Sequence, residues 1–263
     1  MPEPHRRQRL RDLYNRPGKI VFTAHRGFSG KYPENTMLAF EKAFELGVDI
    51  VEFDVHLTRD KIPVVIHDPT TDRTTDGTGA VADYKLAELR KLNASYWQGP
   101  HDTGRRLETP LYDHLPIPTL EEVLDGISSR VCLNIQVKSS TSEDRVRIAG
   151  QYKKHALSGH AFLMVESFKE AEQYRKIDAA IDLCVGEDRG NLQRHKDFGL
   201  TYIQPYKALV SKDFCAEIAR LGLCANMFYA NTVEEAEKYV SMGLQGIMTD
   251  NPHLMKDLRV KGN

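Results

Sequence analysis

Glu52 and Asp54 stand two apart in the run DIVEFDV, and Gln136 and Lys138 stand two apart in VCLNIQVK. On an extended strand, residues two apart face the same way. His25-Arg26 closes a third apolar run, KIVFTAH, and His67-Asp68 closes a fourth, IPVVIH. Two carboxylates on one strand face suit a hard divalent cation with oxygen ligands, Mg²⁺ or Ca²⁺. Two histidines supply a proton acceptor and a proton donor near neutral pH. Arg26 and Lys138 can neutralise phosphate oxygens and the charge that builds up in a transition state. Together these residue types suit cleavage of a phosphodiester.

Such groups act together only if the fold brings them to one place. Apolar, β-branched runs over 19–25, 49–55, 131–137, 161–165, 181–185, 201–204, 223–228 and 245–249 predict eight strands. Amphipathic segments lie between them. ENTMLAFEKAFELG places Met37, Phe40, Ala43 and Phe44 on one helical face and stops at Gly47. Thr119 with Glu122, and Thr232 with Glu235, have the spacing of capping boxes. Eight strands, nearly all followed by a helix, predict a (β/α)8 TIM barrel. The run at 62–67 follows the second strand too closely to be its parallel neighbour. It reads as the return arm of a hairpin that opens a small insertion, about 56–118, within a single domain covering 1–263.

In a barrel of this kind the active site lies at the C-terminal strand ends. His25, Arg26, Glu52, Asp54, Gln136, Lys138, Glu166 and Asp250 all fall there, with His67 on the hairpin arm. The remaining histidines, His5, His56, His101, His114, His155, His160, His195 and His253, read as surface or hydrogen-bonded residues. Tyr32, Trp97, Tyr206, Phe228 and Tyr229 can serve as pocket walls or as core. PENT (33–36) reads as a helix start, DRTTDGTG as a turn, and Asp250 as a mouth residue that a helix cap before Pro252 explains as well.

The chain has 263 residues, 41% hydrophobic and 28% charged, with a formal net charge of −1. That balance gives no case for nucleic acid or an anionic membrane as partner. No apolar run approaches the roughly 20 residues of a membrane span. The basic N-terminus lacks an apolar signal core, so a cytoplasmic protein without stable membrane insertion is expected. Leu10, Leu13 and Tyr14 fall on one helical face and point to a short helix packed on the body, the alternative being a disordered arm. The four cysteines form no close pair and read as structural thiols in a reducing compartment.

AHRG, YPENT, VEFDVHLTRD, PVVIHD, RTTDGTG, IPTLEEVL, LNIQVK, SF and MTDNP, in this order over residues 20 to 253, resemble the glycerophosphodiester phosphodiesterase family. The resemblance implies metal-dependent hydrolysis of a small-molecule glycerophosphodiester to an alcohol and glycerol 3-phosphate. It implies His25 and His67 as the acid/base pair, Arg26 and Lys138 as phosphate ligands, and Glu52 and Asp54 as ligands of one divalent cation, Mg²⁺ or Ca²⁺. The alternatives are a lysophospholipase D or phosphoinositide phospholipase C-like enzyme, and a non-catalytic homologue weakened at Gln136.

Two positions depart from the family pattern. Gln136 stands where the family usually has a glutamate that binds the metal. The amide keeps one carbonyl oxygen but removes a negative charge, which predicts weaker metal binding. Glu166, at the end of the next strand, is the expected compensating ligand, since adjacent strands lie about 4.8 Å apart. Near the seventh strand the chain reads Phe228-Tyr229-Ala230-Asn231, where the family commonly begins with tryptophan. Phe228 keeps an aromatic surface for substrate.

Overall fold

The computed structural model describes residues 9–138, 141–255 and 258. The elements run α1 (Leu10–Tyr14), β1 (Val21–Ala24), α2 (Met37–Glu45), β2 (Ile50–Leu57), β3 (Pro63–Val65), α3 (Leu86–Leu89), β4 (Trp97–Gln98) and β5 (Arg105–Arg106). They continue α4 (Leu120–Ile127), β6 (Cys132–Val137), α5 (Ser142–Lys154), β7 (Ala161–Val165), α6 (Phe168–Ile177), β8 (Leu183–Val185) and α7 (Leu192–Asp197). The chain closes with β9 (Tyr202–Ile203), α8 (Lys212–Leu221), β10 (Cys224–Ala225), α9 (Val233–Val240), β11 (Gly246–Thr249) and α10 (Pro252–Met255).

Parallel strands follow the order β11-β1-β2-β6-β7-β8, and β9 pairs with β10. A parallel bridge between Met227 and Ile247 joins the β10 side back to β11. β9 lies beside β8. The eight strands curl into the TIM barrel that their alternation with helices predicts. β3 runs antiparallel to β2, with Val55 opposite Val65. The hairpin reading of 62–67 therefore holds, and parallel pairing is ruled out by the short connection.

The barrel interior is layered. Its floor is apolar: Val21, Ile50, Cys132, Phe162, Cys184, Tyr202 and Cys224 pack with Leu10 and Leu13 of α1. α1 thus plugs the bottom, as its apolar face predicts. Each leucine buried there contributes roughly 1.5–3 kcal/mol. All four cysteines are buried. Above the floor lies a polar layer. Asn134 donates to Gln204 Oε1 across the barrel at 3.1 Å, and Asn226 donates to Thr23 Oγ1 at 2.6 Å. The charged rim stands on this layer, because two residues further along each strand is the next inward position.

Local signals set the helix starts. Thr119 accepts from Glu122 N at 3.1 Å while Glu122 Oε2 accepts from Thr119 N at 2.9 Å, a complete capping box. Thr232 makes only the first half of that device, accepting from Glu235 N at 3.2 Å. Glu235 is drawn instead to Lys207, 2.7 Å away. Among the described residues, no helix is long and apolar enough to cross a membrane.

Candidate active site

His25 follows β1 and is almost wholly buried. Its Nδ1 lies 2.7 Å from Asp250 Oδ1, beyond the end of β11. Ser29 Oγ donates to the same oxygen at 2.8 Å, and Asn231 Nδ2 donates to Oδ2 at 2.6 Å. Burial and Arg26 disfavour a charge on His25, but Asp250 and Glu52 outweigh them and raise its pKa. The same contacts, working against burial, hold Asp250 down to about 2. Asp250 is therefore a partner of His25 and not simply a cap of α10.

The backbone after His25 is unusual. Arg26 has φ 54° and Gly27 φ 77°. A Cβ on Gly27 would lie 2.8 Å from the carbonyl carbon of Ala39 in α2, so only glycine fits this close approach. The left-handed turn aims the Arg26 N–H at Glu52 Oε2, 2.8 Å away. Non-glycine residues held at positive φ cost energy and cluster at functional sites. The Arg26 guanidinium donates to Glu34 Oε1 at 2.9 Å, and its Nε stands 3.4 Å from Asp54 Oδ2. That Nε is buried and lacks an aligned acceptor.

Glu52 and Asp54 both point into the barrel, as their spacing predicts, and both are buried. Burial, and then the charge of Asp54, push the Glu52 carboxyl up to about 7. Burial works the same way on Asp54, but Lys138 and then Arg26 hold it well below the usual carboxylate range. Lys138 Nζ is 2.9 Å from Asp54 Oδ1, close enough for an ion pair but without the alignment of a hydrogen bond. Asn35, at φ 56°, donates to Asp54 Oδ2 at 2.9 Å. Gln136 sits beside Asp54 in strand register, half-buried. Glu166 comes two residues after Met164, the register partner of Gln136, which puts it level with Lys138; it is exposed. The structure thus gathers Glu52, Asp54 and Gln136 and leaves Glu166 on the outer rim.

His67 follows β3 and lines the same cavity as His25. Its Nδ1 is 2.7 Å from Asp68 Oδ1. Burial lowers its pKa more than Asp68 raises it. Arg73, from the DRTTDGTG segment, forks between two carboxylates: 2.7 Å from Asp68 Oδ2 and 2.8 Å from Glu34 Oε2. Glu34 therefore joins Arg26 to Arg73. PENT is a scaffold of the site as well as a helix start, and the N-cap of α2 is Thr36. The turn reading of DRTTDGTG missed Arg73, because its partner Glu34 lies 39 residues away in sequence.

His25, Arg26, His67, His101, Asp102, Phe228, Tyr229 and Asp250 line one cavity of about 200 Å³. Phe228 stands edge-on to His25, with ring centres 5.3 Å apart, and Tyr229 stacks on it at 5.9 Å. His101 is hydrogen-bonded to Asp102, as its reading expects, and it also lines the cavity. A hairpin of the insertion, β4–β5, carries it to 5.1 Å from the His67 ring. No periodicity marks a loop residue brought in by such folding. His5 lies outside the described residues.

Two donor sets bear on a cation. Glu52, Asp54 and Gln136 offer oxygen atoms in a buried place where burial, and then the charge of Asp54, already force the Glu52 carboxyl upward. A hard divalent cation fits that chemistry. His67, Asp68 and His101 also bring one ligand atom each within 4.8 Å of one another. Both oxygens of Asp68 are, however, engaged by His67 and Arg73. That trio is organised first as a hydrogen-bond network.

Residues 25–254 match the glycerophosphoryl diester phosphodiesterase family model. The chain belongs to this family. It is 33% identical over 251 residues to YhdW of Bacillus subtilis, covering 90% of this chain and 98% of that protein. It is 31% identical over 254 residues to the glycerophosphodiester phosphodiesterase of Caldanaerobacter subterraneus, covering 93% and 99%. Among solved structures it resembles an Oleispira antarctica phosphodiesterase in complex with the product sn-glycerol-3-phosphate. The TM-score is 0.76 at 26% identity, covering 88% of this chain and 93% of that one. The protein is thus an enzyme of the glycerophosphodiester phosphodiesterase family, and the resemblance seen in its motifs extends to the whole barrel.

Proposed function

We propose that the protein hydrolyses glycerophosphodiesters to an alcohol and sn-glycerol 3-phosphate, with His25 as general acid and His67 as general base. One observation carries this reading. Two imidazoles, each backed by a carboxylate at 2.7 Å, face one cavity of about 200 Å³ that Arg26 also lines. An ionised carboxylate only accepts, so each ring donates its Nδ1–H to its aspartate. Each Nε2 is then the nitrogen left for substrate. Asp250 and Glu52 favour the proton on His25, which suits it to protonate the departing alcohol. Burial keeps His67 neutral, which suits it to take a proton from the attacking hydroxyl.

Arg26 and Lys138 would hold the phosphate oxygens. Both are already fixed by buried acids, so little ordering remains when substrate binds. Phe228 would wall the pocket beside His25. Glu52, Asp54 and Gln136 would hold a divalent cation, Mg²⁺ or Ca²⁺, with Glu166, one strand further along the rim, as an outer carboxylate. When bound, the cation supplies positive charge against the developing charge on the phosphoryl oxygens.

Hydrolysis of glycerophosphocholine and glycerophosphoethanolamine tests the reading. Purified protein is assayed with Mg²⁺, Ca²⁺ or Mn²⁺ and with chelator. Turnover is expected to need the metal, and His25→Ala and His67→Ala are each expected to lose about 10²–10⁴-fold in kcat. Chelator-resistant turnover, or a His67→Ala variant as active as the parent, would reject it.

A further inference from the structure

Three imidazole–carboxylate pairs converge on the cavity, and the first two are assigned above. The third is His101-Asp102, at the tip of the β4–β5 hairpin in the insertion. His101 Nδ1 is 2.9 Å from Asp102 Oδ1. Asp102 is held ionised below its usual range by His101 and then Tyr229, so it accepts and the ring's proton is on Nδ1. Tyr229 donates its hydroxyl to the other oxygen of Asp102 and stacks on His25 at 5.9 Å. This tether ties the hairpin tip to the far side of the barrel mouth. The hairpin base is anchored too. Arg73 lies over the Trp97 ring at 4.9 Å, and Arg106 donates to the Thr75 carbonyl at 2.7 Å.

We propose that His101 is a specificity-determining residue that accepts a hydrogen bond, through Nε2, from a hydroxyl of the substrate's glycerol unit. A neutral imidazole that donates at Nδ1 has a lone pair at Nε2. The ionised oxygens of a phosphodiester carry no proton to give it, whereas glycerol hydroxyls do. The His101 ring is 5.1 Å from the His67 ring, and both line the same cavity. A glycerol carried by a phosphate at Arg26 is therefore within a short span of it. A site that pairs with a substrate hydroxyl discriminates against a ligand that lacks one.

This inference rests on the phosphodiesterase reading, and binding separates the two. Calorimetry compares sn-glycerol 3-phosphate with inorganic phosphate on the parent, His101→Ala and Tyr229→Phe, in the same metal buffer as the turnover assay. His101→Ala is expected to weaken sn-glycerol 3-phosphate about tenfold and leave inorganic phosphate unchanged. Tyr229→Phe, which releases the tether, is expected to shift the same ligand in the same direction by a smaller factor. Unchanged binding, or an equal loss for both ligands, in a His101→Ala variant that melts like the parent would overturn the assignment while leaving the phosphodiesterase reading intact. A parent that neither turns over glycerophosphocholine nor binds sn-glycerol 3-phosphate would overturn both.

Discussion

Asp250, beyond the last barrel strand, holds His25, beyond the first, at 2.7 Å across 225 residues of sequence. The pair makes the orientation of His25 depend on barrel closure. Asp250→Asn is expected to lower kcat/KM by about 10²-fold or more, because the amide no longer fixes the Nδ1–H tautomer or favours the charged ring. A variant within twofold of the parent would show that His25 needs no such partner.

The same pair sets a pH dependence. Asp250 titrates at about 2 against an ordinary 3.8, so its stabilisation is complete above pH 3.8 and lost as pH falls toward 2. That is worth about 2 kcal/mol. His25 titrates above its ordinary 6.5, so its contribution is complete below 6.5 and lost as pH rises through the folded value. Urea unfolding of the parent between pH 2 and 5 is expected to show the acid limb. Asp250→Asn is expected to flatten it.

Glu34 is buried between Arg26 and Arg73, bonded to both. Glu34→Gln would leave two guanidinium groups facing each other without a charge between them. Breaking such a buried arrangement costs about 3–5 kcal/mol. Chemical denaturation measures that cost directly. Activity is expected to fall with it, since Arg26 loses the contact that orients it.

Gln136 stands beside Asp54 where a carboxylate would add a third negative charge. Gln136→Glu is expected to tighten Mg²⁺ or Ca²⁺ binding about tenfold or more by calorimetry, since ligand charge tunes affinity. Glu166→Gln decides whether the exposed rim carboxylate takes part. Equal metal affinity in that variant and the parent would exclude it as a ligand.

Burial pushes the Cys184 thiol up to about 12 and the Cys224 thiol up to about 11. At pH 8 the thiolate fraction of Cys224 is about one in a thousand, and thiolate is the reactive form. Native protein is expected to react slowly with a thiol reagent and to release four equivalents promptly once unfolded. Fast reaction of Cys184 or Cys224 in the folded enzyme would contradict the packed barrel floor.

The sequence by itself determined the strands, the helix starts and the direction of the main reactive side chains. Those depend on short-range rules: alternation along a strand put Glu52 and Asp54 on one face, and a three-residue spacing capped α4. The motif order also made the two histidines and two cations legible, because each sits at a strand end. Tertiary structure alone decided which groups meet. The pairings of His25 with Asp250, of Glu34 with Arg73 and of Asp102 with Tyr229 span 225, 39 and 127 residues. No local pattern marks them: Asp250 reads as a cap, Glu34 as part of a helix start and Arg73 as part of a turn until closure of the barrel and folding of the insertion bring their partners to them. The placing of Glu166 on the exposed rim is of the same kind: its strand was predictable, but its level relative to Gln136 was set by inter-strand register.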